Sequence, residues 1–152
     1  MRTLTTCFFV VAMAMLVSCN HTAIFEQYQN ISQEAWDMQD SICFHVDMND
    51  TTSRYNVLLH IRNTEQYPYQ NLWLFVDEYQ GETCVYQDTI EALLADDYGR
   101  WLGAGISRYE LPLLYDEQRR FEPTGEHSFV IRQGMRSEWL KGIQDIGVVI
   151  RE

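Results

Sequence analysis

The sequence predicts an all-β chain: a single β-sandwich, immunoglobulin-like or jelly-roll-like, of about seven or eight antiparallel strands behind a signal peptide and a short tether. Three observations predict it. Short apolar runs alternate with period two, turn residues punctuate them at short intervals, and no long stretch combines helix formers with caps. With 46% apolar and 13% aromatic residues, the chain can build a real core.

The elements follow in order. Residues 20–40 read as a tether, with Phe25, Tyr28 and Trp36 as its contacts to the domain. In residues 42–48, Ile42, Phe44, Val46 and Met48 alternate with Cys43, His45 and Asp47, which is a half-buried strand. After the turn at 49–53, Tyr55, Val57, Leu59 and Ile61 alternate again, so these two runs are expected to pair as a hairpin. Residues 72–79 are apolar on both faces and read as a central strand. Residues 80–82 turn the chain into a strand over 83–90, which runs on through 91–95 to a turn at 96–99.

Residues 101–105 form a loop that only small residues can close. A strand over 106–115 follows, and Pro112 marks it as an edge. A turn at 121–125, a strand over 127–133, a bend at 135–142 and a last strand over 143–151 complete the set. The expected division is 1–18 signal peptide, 19–40 lipidated N-terminus and tether, and 41–152 β-sandwich.

The N-terminus sets the expected compartment. A basic start at Arg2 precedes an apolar stretch over residues 4–16, too short for a span, which needs about 20 apolar residues. The stretch ends in Leu16-Val17-Ser18-Cys19, which resembles the bacterial lipobox. Cys19 is therefore the expected lipidation site, and its acyl chains would anchor the protein stably. Asn20 stands where an Asp would signal inner-membrane retention, so outer membrane is expected. No acidic cluster follows, which favours the periplasmic face.

Cys7 leaves with the signal and Cys19 takes lipid, which leaves Cys43 and Cys84 in an oxidising compartment. They form either one disulfide or two buried thiols in neighbouring strands. No CxxC, HxxxH or HExxH spacing occurs, and the pair His45 and Asp47 lacks further ligands, so no metal and no cofactor are expected.

The charge is strongly acidic, 22 Asp and Glu against 11 Lys and Arg for a net −11, which excludes a phosphate backbone as partner. Catalytic motifs are lacking: there is no G-x-S-x-G, P-loop or nucleotide fingerprint, and Gly103-Ala104-Gly105 is too short to count. Asp96-Asp97 and Asp116-Glu117 are adjacent in turns and would face opposite ways, so neither pair is an acid/base couple. No enzyme is expected, nor a small-molecule ligand.

Several segments together resemble the gliding motility lipoprotein GldH family. They are the lipobox, residues 56–75 (NVLLHIRNTEQYPYQNLWLF), 100–105 (RWLGAG), 131–136 (IRQGMR) and 140–148 (LKGIQDIGV). The resemblance implies an outer-membrane lipoprotein of Bacteroidetes-type bacteria, associated with the gliding machinery and the linked type IX secretion apparatus as a non-catalytic accessory or structural part. It carries over one residue role, lipidation of Cys19.

Aromatic residues Tyr67, Tyr69, Tyr98, Trp101, Tyr109 and Trp139 fall in or beside loops, where rings serve as protein hot spots. Arg62, Asn63, Tyr67, Tyr69 and the loop residues Trp101, Leu102, Gly103 and Gly105 are expected to share one end of the sandwich and to meet envelope proteins there. The alternative is glycan binding through the same aromatic loops.

Overall fold

The computed structural model describes residues 23–152; the expected signal peptide and Cys19 lie outside the described residues. The strands are β1 (Ala23–Asn30), β2 (Ala35–Asp37), β3 (Ile42–Met48), β4 (Tyr55–Thr64), β5 (Asn71–Gln80) and β6 (Thr83–Leu93). They continue as β7 (Ala104–Gly105), β8 (Arg108–Arg119), β9 (Gly125–Gln133), β10 (Trp139–Lys141) and β11 (Ile143–Arg151). One sheet runs β1-β11-β4-β8-β7, a second runs β3-β9-β5-β6, and β2 pairs with β10 in a small ribbon. The all-β sandwich expected from the sequence is what forms, with eight long strands and three of two or three residues.

Alternation builds the core. Phe44 and Val46 of β3, Val57, Leu59 and Ile61 of β4, Leu72, Leu74 and Val76 of β5, Ile131 of β9, and Ile146, Val148 and Ile150 of β11 are buried in one cluster. Each strand gives its apolar face to the other sheet, and full burial of one such side chain stabilises by about 1.5–3 kcal/mol. A polar clamp crosses between the sheets. Glu78 of β5, buried, accepts a 2.7 Å hydrogen bond from the Tyr115 hydroxyl of β8 and pairs through its other oxygen with Arg119. Both oxygens of this carboxylate are thereby partnered, as burial of a charge requires.

Two expectations are corrected. The tether expected to touch the domain through Phe25, Tyr28 and Trp36 makes those contacts, but over its described residues it is built into the sandwich: Ala23–Asn30 is the edge strand β1 along β11, and Trp36 of β2 is part of the core. β3 and β4 do not form a hairpin. β3 pairs with β9 and β4 pairs with β11 and β8, so the connection between them crosses from one sheet to the other. The reason is that both strands carry a full apolar face, and facing each other across the core buries both. Asp50 shapes the crossing by accepting from the Thr52 amide and hydroxyl, each at 2.7 Å.

Cys43 and Cys84 are free. They sit on β3 and β6, the outer strands of the four-stranded sheet, with β9 and β5 between them. Three inter-strand steps of about 4.8 Å put them beyond the roughly 7 Å that a disulfide spans between α-carbons. The disulfide and the neighbouring-strand arrangement are both ruled out by that register. Pro112 lies on β8 where β7, which reaches only Tyr109 and Glu110, no longer covers it, so the expected edge position is found.

The register also defines two poles. Ala23 lies beside Arg151, next to Asn56 and near Arg119. At the other pole are Asn30, Asn63, Tyr109 and Ile143.

Candidate functional site

The pole away from Ala23 carries the aromatic loops. The turn after β4 is set by a Tyr67 amide bond to the Thr64 carbonyl (3.1 Å), while the Thr64 amide reaches Gly142 (2.8 Å). Gly142 has φ +84°, and a β-carbon there would fall 2.2 Å from the Tyr67 nitrogen, so only glycine fits. Tyr67 is buried and donates to the Asn71 carbonyl at 2.7 Å. Burial, with Tyr69 nearby, pushes its hydroxyl well above the usual tyrosine range.

Tyr69 meets Tyr67 edge-on at 5.8 Å and shares a 2.9 Å hydrogen bond with Ser137. Trp101 lies between Tyr67 (6.5 Å) and Tyr109 (5.7 Å), in the range of favourable ring pairs. Asp96 closes the preceding turn by accepting from the Tyr98 and Arg100 amides, both at 2.9 Å, and from Arg100 Nε at 2.7 Å. The Leu102 amide then bonds the Leu94 carbonyl at 2.8 Å.

The glycines of the loop let it lie against β8. A β-carbon on Gly103 would be 2.9 Å from the Glu110 carbonyl carbon, and one on Gly105 would be 1.7 Å from the Arg108 oxygen. The Tyr109 hydroxyl ties the loop from below, donating to the Ile106 carbonyl at 2.7 Å. The loop tip is thus held rigidly while Ile106, at 91% exposure, and Leu102, Tyr98 and Trp139 face solvent.

Of the residues expected at this site, Tyr67, Tyr69, Trp101, Leu102, Gly103 and Gly105 are together. Tyr67 is the floor rather than a contact surface. Asn63 is only 1% exposed, so it cannot meet a partner. Arg62 pairs across the sheet with Glu110, the residue the loop lies against, but its side chain faces the outer side of the sheet. Residues 62 and 63 face opposite sides of β4, which alternation alone dictates.

Arg62 sits in a knot on the outer face of the five-stranded sheet that sequence reasoning missed. Its Nε donates to Glu110 Oε2 at 2.8 Å, and its guanidinium lies 3.9 Å from the centre of the Tyr28 ring. The Tyr28 hydroxyl donates to Glu110 Oε1 at 3.1 Å, and His60 Nδ1 is 2.6 Å from that oxygen. Asp145, with a side chain 2% exposed, faces Arg62 Nη1 at 3.4 Å through an oxygen that has no hydrogen bond.

The charges respond accordingly. Burial opposes ionisation of Glu110, but hydrogen bonds from His60 and Arg62 and the Arg62 charge outweigh it and hold the carboxyl below its usual range. Burial pushes Asp145 up, against the pull of Arg62 and Arg108. Burial and the Glu110 carboxylate raise Tyr28 to about 12. Period two placed His60 and Arg62 on one face of β4, but the acids that meet them come from β8 and β11, and no local pattern reveals that pairing.

The family model and the two curated relatives agree on one family. The model of the GldH lipoprotein family matches residues 23–150. The chain is 29% identical over 152 residues to a gliding motility lipoprotein GldH homolog of Christiangramia forsetii, covering 95% of this chain and 93% of that protein. It is 30% identical over 153 residues to the gliding motility lipoprotein GldH of Flavobacterium johnsoniae, covering 94% and 93%. A solved 4-O-methyl-alpha-glucuronidase with specificity for decorated arabinogalactans aligns with a TM-score of 0.47 at 13% identity, over 86% of this chain and 18% of that one. By the family match and the near full-length relatives, the chain belongs to the GldH lipoprotein family.

Proposed function

We propose that this gliding motility lipoprotein is anchored in the outer membrane through Cys19, faces the periplasm, and serves as a non-catalytic accessory or structural part of the gliding and type IX secretion-associated machinery. It docks a partner protein through the aromatic pole.

The observation that carries the reading is the placement of that pole. Ala23 opens β1 at the opposite end of the sandwich, a few residues after Cys19, and β1 runs from there toward the aromatic loops. At roughly 3.3 Å per residue its eight residues set the loops about 25 Å further from the anchor. A rigid apolar tip, Ile106 and Leu102 on a glycine-closed loop, costs little ordering when it binds, and rings behind it supply hot-spot area.

The test is affinity capture of the full lipoprotein from gently solubilised outer membranes, with wild type beside Ile106→Glu and Leu102→Glu. Machinery components should be recovered with the wild type and lost with both variants, which leave the fold intact. Recovery undiminished by either variant, or no partner at all, would overturn the reading.

A further inference from the structure

The outer face of the four-stranded sheet carries a second feature, which meets the aromatic pole at Tyr69. On β5, Leu72, Leu74 and Val76 enter the core, so Trp73, Phe75 and Asp77 point outward in a column. Trp73 and Phe75 are 38% and 39% exposed. Each lies in a row of neighbours across the sheet: Glu91, Trp73 and Gly134; then Thr89, Phe75 and Arg132; then Gln87, Asp77 and Val130.

Two open grooves flank the rings. One, of about 510 Å³, is bordered by Tyr69, Asn71 and Trp73, and the other, of about 490 Å³, by Phe75, Asp77, Gln87 and Arg132. Gly134 keeps the first clear: a β-carbon there would stand 3.2 Å from Trp73 Cβ and 3.3 Å from Phe75 Cε2. The polar groups are fixed in advance. Asp77, only 7% exposed despite its place on the outer face, accepts from Gln87 Nε2 at 2.9 Å and Arg132 Nη2 at 2.8 Å. Arg132 also lies 5.8 Å from the Phe75 ring, with other guanidinium donors left for a ligand.

We propose that this face binds a neutral, polyhydroxylated chain, an extended glycan, along β5. Rings spaced by one strand repeat of about 6.8 Å offer apolar faces to the C–H sides of successive sugar rings. Pre-oriented planar groups beside them donate to and accept from neighbouring hydroxyls, the combination that gives a shallow site its specificity. The charge favours a neutral ligand: on this face Asp77 and Glu91 balance Arg132 and Arg136, on a chain of net charge −11. That field disfavours nucleic acid, anionic lipid and acidic polysaccharide.

The site shares Tyr69 with the partner-docking pole but neither Ile106 nor Leu102, so the test separates the two. The full-length lipoprotein in detergent is run by affinity electrophoresis through gels containing galactomannan, xyloglucan or mixed-linkage β-glucan, with alginate as the acidic control. At least one neutral polysaccharide should retard the protein. Trp73→Ala, Phe75→Ala and the milder Gln87→Ala should each weaken retardation, tenfold or more for the aromatic variants, while Ile106→Glu binds as wild type. Circular dichroism melts confirm that the variants fold. No retardation by any neutral polysaccharide, retardation by alginate alone, or loss with Ile106→Glu rather than Trp73→Ala would overturn the proposal. So would concentration-dependent self-association abolished by Trp73→Ala, which would make a second copy the occupant of this face.

Discussion

Tyr28 packs its ring directly against the backbone of Gly147: a β-carbon on Gly147 would lie 2.5 Å from Tyr28 Cδ1. The two residues are opposite each other in the β1–β11 pair, so the missing side chain on one strand makes room for the ring on the other. Gly147→Ala must push the ring off its seat and with it the hydroxyl that reaches Glu110. A loss of about 1–3 kcal/mol is expected, as for other overpacked sites. Denaturant unfolding measures it, and adding Tyr28→Ala to Gly147→Ala should recover part of the loss, because the clash disappears.

Arg62 is the only cation within ion-pair distance of Asp145 among the described residues. Arg62→Met therefore leaves a buried carboxylate without its cation and should destabilise by about 3 kcal/mol. Arg62→Met with Asp145→Asn should cost markedly less. If the double variant is no more stable than the single one, the ion pair is not the source of the loss.

Alkali should loosen the fold. Tyr28 is raised by burial and by Glu110 from 10.0 to about 12, so its neutral form is favoured in the folded state. A group raised on folding stabilises fully below its unfolded pKa, and that stabilisation is lost as pH rises through the folded value. The window is pH 10 to 12. Tyr67 and Tyr115, also pushed up by burial, add to the loss in the same direction. Thermal melts across this range should fall less steeply for Tyr28→Phe than for wild type, and equal slopes would show that Tyr28 stays accessible to hydroxide in the native state.

Reductant should leave the melting temperature unchanged, since Cys43 and Cys84 are not joined. Alkylation of the unfolded, unreduced protein should label both thiols. A protein that labels only after reduction would contradict the strand order.

Much of the fold was legible because its signals are local. The last strand, β11, spans the residues 143–151 in which the sequence places it, and the loop from Trp101 to Gly105 was recognisable from its glycines. What alternation does not encode is partnership. β3 and β4 each show a clear period of two, yet their partners are β9 on one side and β8 and β11 on the other, far along the chain. β1 was hidden for another reason. It is an edge strand with a register shift between Ala23 and Phe25, and its sequence AIFEQYQN buries little, so its pattern is broken and polar. At the aromatic pole the ring residues were visible by type, but which ring became floor and which became surface depended on Gly142 and Ser137, contributed by the distant β9–β11 connection.

The course of β1 has a mechanical consequence. Its strand axis joins the pole at Ala23 to the aromatic pole, and its pairing with β11 runs from Ala23 to Asn30 along that axis. A pull exerted between the two poles therefore slides β1 past β11, loading the cross-strand hydrogen bonds together in shear. They would have to break collectively rather than peel apart one at a time, so with the anchor and the docking pole proposed above the sandwich would resist tension best along the line that joins them.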